Sequence, residues 1–212
     1  MKIEVWFDFV CPFCYLGERK LELALEEFAH RDEVELIFKS FELQMASEST
    51  KDKDINQILA DKYHISYAQA KANNDNITES ARQVGLDYRF DLFKVRNTRL
   101  AHELVHFAEK YGKSHALARR LFKGVFTEGL DLGDEEALRK LSEEFGLNFK
   151  DFKELQSSGS LKEQVQADEK EAVKLGINSI PHFIMNGRYV VSGAQSPEYF
   201  FEVLNKAYQE ST

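Results

Sequence analysis

The period of the apolar residues changes twice along the chain, and the changes divide it into three parts. At the start, Ile3, Val5, Phe7 and Phe9 alternate with Lys2, Glu4, Trp6 and Asp8, the two-residue period of a strand with unlike faces. Cys11 and Pro12 follow at once. Leu21, Leu25 and Phe28 then mark one face of a helix running to about Ala29, and proline suits its first turn because no backbone N–H is needed there. Val34 to Phe38 is a second run of strand formers. Such a βαβ opening predicts parallel strands joined by a right-handed crossover.

From about Met45 to Leu175 the pattern becomes helical, with no proline. Leu100, Leu104 and Phe107 form one stripe, Leu117, Leu121 and Val125 another, and Leu138, Leu141 and Phe145 a third. Gly112, Gly129, Gly133, Gly146 and Gly159 fall between stripes as turns or C-caps. The polar stretch Ala46–Asp54 reads as a loop entering this block. Strand patterning then returns in Ile180–Met185 and Arg188–Ser192, separated by Asn186-Gly187, a pair that tolerates the positive φ of a type I′ hairpin turn. Ser196-Pro197 supplies an N-cap and first-turn proline for a last helix through about Tyr208.

The expected order is therefore β-α-β, helical block, β-β-α. This predicts an α/β protein with a thioredoxin-like core, residues 1–44 and 176–212, and a large all-helical insertion, residues 45–175.

Composition agrees with a soluble globule: of 212 residues, 43% are hydrophobic and 30% charged. A net charge of −8 argues against nucleic acid and anionic membranes as partners. No apolar run approaches the ~18 residues of a membrane span. Glu4 and Asp8 interrupt the apolar start, so it reads as a strand and not a signal peptide, and the expected compartment is the cytoplasm.

The chain has only two cysteines, and they form a C-x-x-C at the predicted strand–helix junction. In a reducing compartment that pattern points to redox or metal chemistry more than to a structural staple. A helix N-terminus lowers a thiol pKa through its free N–H groups and dipole. Cys11 is thus the expected attacking, exposed sulfur and Cys14, one turn further in, the resolving one. Two inert core thiols, or half of a metal site, are the competing readings, although no second C-x-x-C completes a zinc shell. Pro181 opens a strand and belongs to the one residue type whose peptide bond commonly goes cis, so it is the second candidate feature.

Asp8-x-x-Cys11-Pro12-Phe13-Cys14-Tyr15-Leu16-Gly17, with Ile180-Pro181-His182-Phe183 and Ser192-Gly193-Ala194-Gln195, resembles the DsbA-like thioredoxin superfamily. In particular it resembles the FrnE-type branch, related to 2-hydroxychromene-2-carboxylate isomerases and kappa-class glutathione transferases. Phe41-Glu42-Leu43 and Asn97-Thr98-x-x-Ala101-His102 extend the match over nearly the whole chain. The resemblance implies a cis-proline at Pro181 facing Cys11, and dithiol–disulfide exchange with protein or small-molecule thiols. Pro12, Phe13, Ile180, Asn97 and His102 are its candidate substrate contacts. It requires no cofactor but keeps glutathione open, and it leaves monomer and homodimer open. Phe13 stands where strongly oxidising relatives carry histidine and cannot hydrogen-bond the Cys11 thiolate, which predicts a milder oxidant. The isomerase and transferase relatives use serine at the position of Cys11, so a glutathione-dependent isomerase or transferase is the alternative, with a non-catalytic chaperone-like module as a third reading.

Asp8 reads equally as a proton relay to the sulfurs or as a polar helix-entry residue, and its charge would raise a nearby thiol pKa. His102 and His182 are candidates for pocket-facing groups, against ordinary structural roles. The pairs Phe122/Phe126 and Tyr63/Tyr67, four apart, are read as helix-face packing.

Overall fold

The period-two start of the chain forms β1 (Lys2–Phe7), one of the two interior strands of the sheet. The structure is a computed structural model that describes residues 1–47, 50 and 53–210. After β1 come α1 (Pro12–Glu27) and β2 (Glu35–Ser40), which runs parallel to β1 with Val5 opposite Phe38. β3 (His182–Met185) lies antiparallel on the other side of β1, and β4 (Tyr189–Ser192) pairs with β3, so the sheet order is β2-β1-β3-β4. Asn186 and Gly187 take φ values of 50° and 65° between β3 and β4, as their residue types anticipate.

Between β2 and β3 lie α2 (Ile55–Tyr63), α3 (Tyr67–Arg82), α4 (Arg99–Glu109), α5 (Ser114–Lys123), α6 (Glu135–Glu144), α7 (Phe149–Ser157) and α8 (Ser160–Lys174). A π-helical turn, Gly124–Glu128, extends α5, and α9 (Pro197–Gln209) closes the chain. Side chains at the entry points supply the caps. Asp54, Ser66, Asp134, Asn148 and Ser196 each accept backbone N–H groups of the first turn that follows them. Of the three stripes, Leu104 and Phe107 are buried on α4, Leu117 and Leu121 on α5, Val125 in the π-helical turn, and Leu138 and Leu141 on α6, while Leu100 and Phe145 are partly buried.

Three local readings change in the fold. β1 ends at Phe7, and the Asp8 carboxylate turns inward to accept the Leu43 N–H at 2.7 Å, so Asp8 and Trp6 are buried instead of facing water. The reason is that both sheet faces are covered: α1 and α9 pack on the side of Val5 and Phe183, while Ala172 of α8 and Ile177 pack against Trp6 on the other. The helical block is interrupted over residues 83–98, which carry no helix or strand yet bury Leu86, Tyr88, Phe93 and Val95. Tyr63 and Tyr67 belong to different helices, because His64 adopts φ 54° at the end of α2 and Ser66 starts a new cap. Of the segment Ala46–Asp54, residues 48, 49, 51 and 52 lie outside the described residues, and the rest is irregular.

Candidate active site

The site is built where β1 hands over to α1. The Cys11 N–H donates to the Asp8 carbonyl at 3.1 Å, and the Cys14 N–H donates to the Cys11 carbonyl at 3.0 Å, closing the first turn. Cys11 occupies the N-cap with an extended backbone, φ −95° and ψ 110°, and makes no side-chain cap bond. Its sulfur sits at the N-terminal end of α1, the positive end of the helix dipole. Pro12 fills the first helical position without wasting a donor. Both cysteines are free thiols. Cys11 is only 5% exposed, less than its expected role suggested, and Cys14 is buried more completely at 1%. Burial pushes the Cys14 thiol well above its ordinary pKa, and its hydrogen bond with the Cys11 side chain and the charges of Cys11 and Asp8 push it further.

The Ile180–Pro181 peptide is cis, and the Ile180 carbonyl lies 3.9 Å from the Cys11 sulfur, within reach of its S–H. This approach depends on Gly17. A Cβ there would sit 2.9 Å from Pro181 Cγ and 3.3 Å from the Phe183 ring, so only glycine lets α1 lie this close to the proline loop. The Pro181 carbonyl in turn accepts the Gly193 N–H at 2.8 Å.

Tyr88, which the sequence pattern did not single out, donates its hydroxyl to the Pro12 carbonyl at 2.6 Å. Its ring stacks on Tyr15 and Phe126, and burial raises its hydroxyl pKa well above the usual value, keeping the proton that the bond needs. The signal available in the sequence was aromatic density: Tyr88, Phe90 and Phe93 fall within six residues that lack a helical period.

The remaining candidates separate. Phe13 is exposed at the tip of the turn, at 46%. Together with Cys11 and Pro12 it borders a cavity of about 550 Å³ that α2 and α3 wall off on the far side. His102 is buried elsewhere: its ring packs on Phe7 and Phe9, and its Nε2 lies 3.3 Å from the Asp8 carboxylate. Asn97 is exposed at the start of α4, where its side-chain oxygen accepts the Arg99 N–H at 3.0 Å. His182 lies on the Trp6 face of the sheet, in edge contact with that indole, and burial lowers its pKa. The fold thus gathers Cys11, Cys14, Pro12, Phe13, Ile180 and Pro181 at one place, and sets Asn97, His102 and His182 outside it.

Among the described residues, no group of three or more His, Cys, Asp or Glu side chains is arranged to hold a metal ion. No described helix is long and apolar enough to cross a membrane.

The comparisons with known proteins agree with this geometry. A family model described as a DSBA-like thioredoxin domain matches residues 2–205. "Uncharacterized protein YwbO" of Bacillus subtilis (strain 168) is 30% identical over 205 residues, which is 96% of this chain and 95% of that one. A probable DsbA oxidoreductase from Streptomyces coelicolor superposes with a TM-score of 0.91 at 34% identity, over 100% of this chain and 92% of that one. The cytosolic disulfide reductase DsbM from Pseudomonas aeruginosa, solved with GSH, gives a TM-score of 0.72 at 17% identity, over 99% and 100% of the two chains, a likeness of fold. A family match over almost the whole length makes this chain a member of the DsbA-like thioredoxin family.

Proposed function

We propose that the protein is a cytoplasmic thiol–disulfide oxidoreductase that works through Cys11 and Cys14. The observation that carries this reading is the pair itself: two free thiols on the first turn of α1, one at the cap and one buried behind it, with the Ile180 carbonyl 3.9 Å from the outer sulfur. Negative charge formed on Cys11 meets the positive end of the α1 dipole. The Cys11 thiolate attacks one sulfur of a substrate disulfide. A new S–S bond forms, the old one breaks, and the leaving thiolate takes up a proton. Cys14 then loses its proton and attacks the Cys11 sulfur, expelling the second thiolate and closing the Cys11–Cys14 disulfide. Two electrons have passed from the protein to the substrate, and the same steps reversed oxidise a dithiol. The division of labour follows from burial, since the inner thiol is the one held protonated until the mixed disulfide brings its target within reach.

The test uses pre-reduced protein and 2-hydroxyethyl disulfide, followed by mass labelling of free thiols. The wild type loses both free thiols, and Cys14→Ser stops as a mixed disulfide on Cys11. Consumption of the disulfide by Cys11→Ser at the wild-type rate would sink the reading.

A further inference from the structure

The shape and chemistry of the cavity beside Cys11 bear on which disulfides reach it. Cys11, Val10 and Leu16 are buried at its inner end, together with Ile55 and Phe93. Phe13 and Tyr63 are exposed at its rim, 46% and 60%, so the space opens to solvent between α1 and the end of α2. Its volume, about 550 Å³, falls within the ~300–1,000 Å³ typical of small-molecule sites. The walls between are Leu43, Met45, Leu59, Ile77 and Phe90. Apart from the Cys11 thiol and the Tyr63 hydroxyl at the rim, the polar side chains lie on α3, where Asn73 and Asn76 are exposed and Ser80 is half-buried. Asn74 donates its amide to Asn56 at 2.7 Å and is already committed to the fold. Among the described residues, none that lines the cavity is charged.

We infer that the substrate of this site is an uncharged low-molecular-mass disulfide carrying an apolar group, seated in the cavity with that group against Leu59, Ile77 and Phe90. The inference rests on the thiol–disulfide reading above and specifies its substrate class. Three features lead to it. The attacking sulfur lies at the buried end of a concave space, which suits a compact molecule better than a loop of a folded protein. The walls reward apolar surface taken out of water. Glutathione would bring two carboxylates and an ammonium into a lining that offers them no opposite charge, and unpaired charge is costly to bury. The asparagine side accepts an uncharged polar tail, such as a hydroxyl or amide, at the mouth.

In the reaction, the Cys11 thiolate bonds to the sulfur that bears the apolar group and releases the other half as a thiolate, which is protonated. Cys14 then displaces the seated thiolate, which also takes a proton, and the Cys11–Cys14 disulfide is returned to the dithiol by an external dithiol such as dithiothreitol.

The experiment measures second-order rate constants of pre-reduced protein with four disulfides: benzyl 2-hydroxyethyl disulfide, bis(2-hydroxyethyl) disulfide, glutathione disulfide and insulin. Each constant is divided by that for dithiothreitol with the same disulfide, to remove intrinsic reactivity. The benzyl compound is expected to exceed the bis(2-hydroxyethyl) compound by about tenfold or more, the selectivity a well-fitted apolar pocket provides. Glutathione disulfide and insulin are expected to fall below both. Leu59→Glu, which places charge in the wall, and Ile77→Trp, which fills the space, should each erase most of the benzyl preference. A higher normalised constant for glutathione disulfide or insulin would overturn the inference, as would a benzyl preference unchanged in both wall variants. Loss of reaction with every disulfide would instead indict the thiol–disulfide reading itself.

Discussion

The two flanks of the Cys11–Cys14 turn are built on opposite principles. Toward α2 and α3 the wall is apolar and unfilled, and it leaves about 550 Å³ beside the outer sulfur. Toward α4, α8 and the end of β2 the space is filled, and the buried groups there include charges. Asp8 holds the Leu43 amide and faces His102, and Glu42 pairs with Arg99. Asp168 accepts the Ser40 amide at 2.9 Å, lies 3.1 Å from His106 Nε2 and meets Lys39 at 3.2 Å. Burial works against the Asp168 charge, but its hydrogen bonds with His106 and the Ser40 amide, aided by the His106 and Lys39 charges, outweigh it and hold the carboxyl below its usual range. The difference teaches where a fold can leave room. Buried charge must be enclosed by partners to be tolerated, so the charged flank is committed to structure. An apolar wall needs no partner and can wait for a ligand.

That contrast predicts unequal costs of truncation. Asp168→Ala should cost about 3–5 kcal/mol in urea unfolding, because His106, Lys39 and the Ser40 amide lose a buried acceptor. Leu59→Ala, on a wall that already borders open space, should cost under about 2 kcal/mol, the low end for such truncations. Equal losses would erase the distinction. The pH dependence has a definite sign. A carboxyl depressed in the folded state stabilises fully above its unfolded pKa, about 3.9, and loses that contribution as pH falls through the folded value. Wild-type stability should therefore drop below about pH 4 more steeply than that of Asp168→Asn.

Between the flanks, Gly17→Ala should destabilise by about 1–3 kcal/mol, because the new methyl overlaps Pro181 Cγ. A neutral result would mean that α1 and the proline loop are not in tight contact. Cys14 predicts a kinetic effect of similar size. Its raised pKa means that release of a mixed disulfide from Cys11 should accelerate about tenfold per pH unit across neutral and mildly alkaline pH, until the Cys14 thiol itself titrates. Single-turnover decay of the adduct reads this directly, and a flat profile would contradict the assignment of Cys14 as the buried, protonated partner. The smallest expected change is Tyr88→Phe. It keeps the stack on Tyr15 and Phe126 but leaves the Pro12 carbonyl without its donor, at a cost of about 1 kcal/mol in the same unfolding assay.

Much of this architecture was readable before any coordinates. The alternation of Ile3, Val5 and Phe7, the Asn186-Gly187 turn, the Ser196-Pro197 cap and the placing of Cys11-Pro12 at a helix start all reappear in the fold. The half of the site formed by Cys11, Pro12, Phe13 and Cys14 was visible for the same reason, since its members are adjacent in the chain. Pro181 stood out from its residue type at a strand opening, but its place facing Cys11 was legible only through resemblance to a known pattern, because nothing local says that Ile180, 169 residues away, lies beside Cys11.

What the sequence by itself determined is everything governed by a few consecutive residues: the period of strand or helix, the caps, the turns, and a thiol pair spaced by one helical turn. Only the tertiary structure decided that Trp6 and Asp8 are enclosed, that Tyr88 holds the Pro12 carbonyl, and that His102 faces Asp8 while Leu59 and Ile77 face the thiols' cavity. The physical reason is that backbone propensity and capping act over one or two turns. Burial, pairing and empty space depend on which distant segments the packing of α3, α4 and α8 brings against the first strand and helix.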